Sequence, residues 1–183
     1  MKRIVLILLG VLAVSTSAYA QTTAEIIERA LAAAPGRARE GAAVIKWDPD
    51  HRHETLKEGT NRLVCFDRSG EPGRQPFAVQ CTSVGNLDRV AQNRRARAES
   101  EEIADAEAML DAAETNGTRE KPEYGSLWIS MNGSDQASAR THTTIAVPGA
   151  TTESLGLPDN PRQGGAWIMN AGTTTAHIMT PGH

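Results

Sequence analysis

The sequence predicts an α+β domain, a mainly antiparallel sheet of roughly five to seven strands with helices packed on one face. Three observations lead there. Short apolar runs bounded by turn residues recur in both halves of the chain. Between Ser83 and Asn116 there is no Pro and, after Gly85, no Gly, while Ala, Glu, Arg, Leu and Met abound; these are strong helix formers. Finally, Trp167-Ile168-Met169 and Ala176-His177-Ile178-Met179 flank an Ala-Gly-Thr-Thr turn region and read as a hairpin. Neither run alternates between apolar and polar residues. Both strands are therefore expected to be covered on two faces, in the middle of the domain.

Taken in order, Thr22 or Thr23 caps a first helix over 24–34, which Pro35-Gly36 stops. Ile26, Ile27, Ala30, Leu31 and Ala34 give it one packing face. A strand over 41–47 ends at Asp48-Pro49-Asp50, His53 to Lys57 returns, and Arg62 to Phe66 forms a third strand, together an antiparallel meander. The helical segment 84–115 carries two apolar patches: Leu87, Val90 and Ala91, then Ile103, Ala106, Leu110 and Ala113. Arginines come early and carboxylates late, so a break near Ser100 places Glu101 and Glu102 favourably at a fresh helix N-terminus. Further strands are expected over 125–131 and 141–147, with a short helix within 151–157.

The first twenty residues read as a secretory leader: Lys2 and Arg3, an apolar run from Ile4 to Val14, and Ala18-Tyr19-Ala20 as a cleavage site. A single domain over 21–183 follows. Its expected location is the periplasm or the extracellular space, with no membrane span once the leader is cut. The formal charge of −3 becomes −5 when Lys2 and Arg3 leave. That balance argues against nucleic acid as a partner. Cys65 and Cys81 are an even pair in an exported chain and are expected to form a disulfide around a loop rich in turn formers. Asn116-Gly-Thr118 and Asn132-Gly-Ser134 match a short glycosylation pattern.

A resemblance follows from a few residues. Leu63-Val64-Cys65, Leu155-Gly-Leu-Pro158-Asp159 and the block Gly164-Gly165-Ala166-Trp167-Ile168-Met169-Asn170-Ala171-Gly172-Thr173 … Ala176-His177-Ile178-Met179, behind a leader, resemble a family of exported bacterial proteins. The resemblance is strongest over 155–179. It implies export and one domain, and because that family carries no assigned activity it implies no catalytic residue.

Candidate chemistry is sparse. Asp48, Asp50, His51 and His53 are the densest metal-capable set, and carboxylate with imidazole suits zinc or copper. They fall in a turn without a recognised ligand spacing, so solvated turn residues are the favoured reading and neither a metal nor another cofactor is expected. His142 and His177 lie in proposed strands. Neighbouring strands would bring the two imidazoles together, with Asn170 or Asp135 completing a site for general-base or metal chemistry. The plainer reading is two core histidines bonded to backbone. No nucleophile elbow is present. Three functions follow: a non-enzymatic exported binding or envelope module, a hydrolase or metal-dependent enzyme centred on His142 and His177, or a protein-interaction module using segment 84–115.

Overall fold

The computed structural model describes residues 21–180; the expected leader lies outside the described residues. The helices are α1 (Thr23–Ala30), α2 (Gly36–Arg39), α3 (Leu87–Ala98), α4 (Ile103–Asn116) and α5 (Thr152–Leu155). Eight strands, β1 (Ala43–Trp47), β2 (His53–Lys57), β3 (Leu63–Asp67), β4 (Phe77–Ser83), β5 (Leu127–Gly133), β6 (Arg140–Ala146), β7 (Trp167–Met169) and β8 (His177–Met179), form one sheet. Their order is β2-β1-β3-β4-β5-β6-β8-β7. Only β1 and β3 pair in parallel. The α+β class and the mainly antiparallel sheet are thus as the sequence predicts.

Local chemistry explains the helix ends. The Thr22 hydroxyl accepts from the Glu25 N–H while the Glu25 carboxylate accepts from the Thr22 N–H, a reciprocal cap for α1. Pro35 cannot extend the helix, and a single 3₁₀ turn at Leu31–Ala33 closes it. The Arg/Glu-rich stretch does break, between Ala98 and Ile103, where the Ser100 hydroxyl donates to Ala96 O at 2.7 Å.

Packing divides by face. Ala30, Leu31, Ala33 and Ala34 bury against Val44, Cys65, Phe77, Val79, Cys81 and Ile129. Val90 and Leu87 of α3 instead cover Ile45, Val64, Phe66 and Trp128. Val64, Cys65 and Phe66 are consecutive, so they point to opposite sides, and the helices cover both faces rather than one. The unbroken apolar runs of β1 and β3 require this, since each strand needs cover on two sides.

Three further expectations change. First, β4 is absent from the expected set, although all seven of its residues are buried. Its Gln80, Thr82 and Ser83 disguise an interior strand, and each finds a polar partner: Arg68, Leu127 O and Glu123. Second, β1, β2 and β3 are not a meander, because β3 lies on the far side of β1 from β2. The connection must cross the start of β1, and only Gly fits there: a Cβ on Gly59 would lie 2.6 Å from Ala43 N. Thr60 N and Asn61 N hold the crossing by donating to Gly41 O at 2.8 and 3.0 Å. Third, the C-terminal hairpin forms but lies at the sheet edge, where Ile168, Ala176, Val147 and Ala150 make a small core of their own.

The Cys65–Cys81 disulfide is present, with S–S 2.06 Å. The two cysteines are direct cross-strand partners on β3 and β4 and fully buried. The loop they enclose has a second anchor. Glu71, with its side chain 6% exposed, takes Arg68 on Oε2 (Nη2 2.6 Å), Arg94 on Oε1, and Arg74 at 3.5 Å. Burial pushes the Glu71 carboxyl up, but the hydrogen bond and charge of Arg68, then the charges of Arg94 and Arg74, outweigh it and hold it below its ordinary value.

Two outcomes are expected. The double variant Cys65→Ala/Cys81→Ala loses up to about 3 kcal/mol, measured as a lower urea midpoint. The Glu71 contribution is complete above pH 4.5, its ordinary carboxyl value, and disappears as pH falls through the lowered one. Glu71→Gln therefore destabilises at neutral pH and flattens the acid limb of a stability–pH curve.

Candidate functional site

The face covered by α1 is apolar, whereas the face beside α3 becomes polar from β4 outward. Register dictates this. Gln80 pairs with Ser130 and Ser130 with His142, so one rung of the sheet carries an amide, a hydroxyl and an imidazole. Two residues along, Thr82 pairs with Trp128 and Trp128 with Thr144; two further, Ala146 stands opposite His177. Steps of two keep the same face. Arg89 and Asn93, four apart on α3, roof this surface, and Thr175 closes one end. The resulting cleft has a volume of about 240 Å³.

Arg89 dominates its electrostatics. The residue is 5% exposed. It donates to Glu120 O, to Thr175 Oγ1 at 3.3 Å and to Thr174 Oγ1 at 3.4 Å. No described carboxylate lies within ion-pair distance of it, and no carboxylate lines the cleft. Burial, then the neighbouring Arg119 charge, push Arg89 down to about 10, with Glu114 partly opposing them. The side chain thus remains a cation at neutral pH. Glu114 is engaged elsewhere, accepting from Thr174 N at 2.6 Å and from the Thr174 hydroxyl. Arg119 donates to Asn93 Oδ1, which leaves the Asn93 NH₂ as a donor.

Comparison with protein-family models, with curated proteins and with solved structures finds no match. What the cleft can do is therefore read from its own groups.

His142 and His177 do line one cleft, on the neighbouring strands β6 and β8. Four residues of strand separate His142 from the position opposite His177, about 13 Å at the usual rise. They border two ends of the cleft rather than one ion with bonds of about 2 Å. His177 Nδ1 lies 2.8 Å from Thr175 O. A carbonyl only accepts, so Nδ1 carries a hydrogen and donates it to Thr175 O. His142 is exposed at the outer rim.

The other sequence candidates lie elsewhere. Asn170 is exposed in the β7–β8 turn with φ 54°, where its carbonyl accepts from Thr173. Asp135 caps the β5–β6 turn through Ser138 N at 2.8 Å. At the β1–β2 turn, Arg52 takes both Asp48 (3.3 Å) and Asp50 (2.7 Å), His51 adopts φ 61°, and His53 packs edge-on to Trp47. Among the described residues no group of three or more His, Cys, Asp or Glu is placed to hold a metal. Leu87 and Val90, from the first apolar patch of segment 84–115, are spent in the core, so the exposed large apolar side chains of that segment are Val84, Ile103 and Met109.

Sequence reasoning missed Gln80, Arg89, Asn93 and Ser130. A signal for two of them existed: Arg89 and Asn93 share an i, i+4 face beside Val90, a core residue. Glu114→Gln removes the charge that fastens the 170–176 turn to α4. Faster amide exchange at Thr174 and Thr175, with α1 unchanged, is the expected readout.

Proposed function

We propose that this protein is an exported, non-enzymatic binding protein, of the periplasm or extracellular space, whose cleft captures a small carboxylate. One observation carries the reading: a buried guanidinium without an ion-pair partner among the described residues, facing hydroxyls, amides and imidazoles. Burying such a charge is costly unless an anion completes it. A single planar guanidinium suits a carboxylate bidentately. The cavity volume suits a ligand on the order of ten non-hydrogen atoms. Export is supported by the leader-like first twenty residues and by the disulfide, which is compatible with an oxidising compartment. No described helix is long and apolar enough to cross a membrane.

A hydrolytic reading has one observation in its favour. Ser130 stands across from His142, a hydroxyl beside a base. It lacks a lining carboxylate to orient the imidazole.

Thermal melts with added malonate test the binding reading. Malonate raises the melting temperature of the wild type but not of Arg89→Gln; no shift in either would overturn it. Hydrolysis of p-nitrophenyl acetate that disappears in both Ser130→Ala and His142→Ala would favour the enzyme instead. So would a stoichiometric metal lost in His177→Ala.

A further inference from the structure

Two side-chain amides line the cleft, and the fold fixes which end each one shows to it. Arg68 Nη1 donates to Gln80 Oε1 at 2.7 Å, and Arg119 donates to Asn93 Oδ1. A guanidinium has donors only, so the atom it meets is the amide oxygen. Each carbonyl is thereby occupied by an arginine that does not itself line the cleft. Each NH₂ group is left over, without an acceptor among the described residues. Gln80 is only 7% exposed. A buried donor of this kind calls for something in the cavity that accepts from it.

Gln80 belongs to β4 in the floor, and Asn93 stands one turn beyond Arg89 in the roof. The cleft thus presents one guanidinium, two fixed NH₂ donors, hydroxyls that serve either way, and no carboxylate. A ligand that answers all of these is rich in acceptor oxygens. The ammonium of an amino acid would meet a cation and two NH₂ groups, with no anion to pair with. One guanidinium suits one carboxylate. Part of the wall is apolar, formed by Pro122, Trp128, Ala146 and Ala176, and suits hydrocarbon.

Building on the carboxylate-binding reading, we infer that the ligand is a 2-oxo monocarboxylic acid with a hydrocarbon tail. Gln80 and Asn93 select it over the amino acid of the same skeleton. Arg89 takes the carboxylate, and the amides donate to the oxo oxygen, which accepts but carries no hydrogen. The tail lies along Trp128.

The test is calorimetric titration of the full chain with 4-methyl-2-oxopentanoate and with L-leucine, which share a carbon skeleton. Wild type prefers the oxo acid at least about tenfold. Asn93→Asp keeps an acceptor for Arg119 but replaces the donor by a carboxylate, which repels the oxo acid and accepts from an ammonium. The preference then falls at least about tenfold. Should Asn93→Asp fail to fold, Gln80→Glu decides on the same grounds, because Arg68 still has its acceptor. Equal binding of the two ligands by wild type, or an unchanged preference in whichever variant folds, overturns the inference. Binding of neither ligand by a protein that malonate stabilises through Arg89 overturns it while the carboxylate reading stands. If malonate also has no effect, both fall.

Discussion

The pairing of Cys65 with Cys81 across β3 and β4 is the constraint on which the rest depends. It fixes which way every residue of β4 faces. With Cys81 turned toward α1, Val79 and Phe77 join the apolar core, and Gln80 and Thr82 turn to the other side. A slip of one residue would reverse them all. Gln80 and Thr82 would then be buried under Leu31 and Ala34, and Val79 would line the cleft. Both faces of the molecule are consequences of that register.

The two faces differ in how they are held. Under α1, apolar burial and the disulfide act together, and little specificity is needed beyond shape. Around α3 the contacts are polar and directional. Asn86, fully buried, donates to Thr82 Oγ1 at 2.7 Å and Ser126 Oγ at 2.9 Å and accepts from Glu123 N at 2.8 Å. Both ends of that amide are engaged, by Thr82 of β4 and by Glu123 and Ser126 of the stretch leading into β5, so it fixes where α3 begins relative to β4 and β5. Arg89, less than one turn on, is thereby brought over the rungs of β5 and β6. An apolar roof would cover the same strands at lower electrostatic cost. That a buried cation stands there instead is the reason to look for a ligand.

Much of the fold was legible because its determinants are local. A threonine at 22 or 23 announces the first helix, Pro35 ends it, and the change of charge near Ser100 marks the break between α3 and α4. The disulfide follows from counting cysteines in a chain whose first residues read as a leader. What was not legible depends on partners distant in sequence. A strand reading Phe-Ala-Val-Gln-Cys-Thr-Ser shows no alternation because both its faces are buried, one of them against polar groups. The parallel pairing of β1 with β3 rests on a crossing that Gly59 permits, and a single Gly reads equally well as a tight turn. His142 and His177 were identifiable as strand residues. That they border one cleft follows from β8 inserting beside β6, while Arg89 is in sequence one of several arginines early in segment 84–115.

Cross-strand nuclear Overhauser effects on isotope-labelled protein test the register most directly. The expected pattern pairs Cys65 with Cys81, Gln80 with Ser130 and Ser130 with His142, and places Arg89 side-chain protons beside Thr175. Contacts pairing Gln80 with Ile129 or Met131 instead would mean a slipped β4–β5 ladder, and would contradict both the apolar core and the cleft.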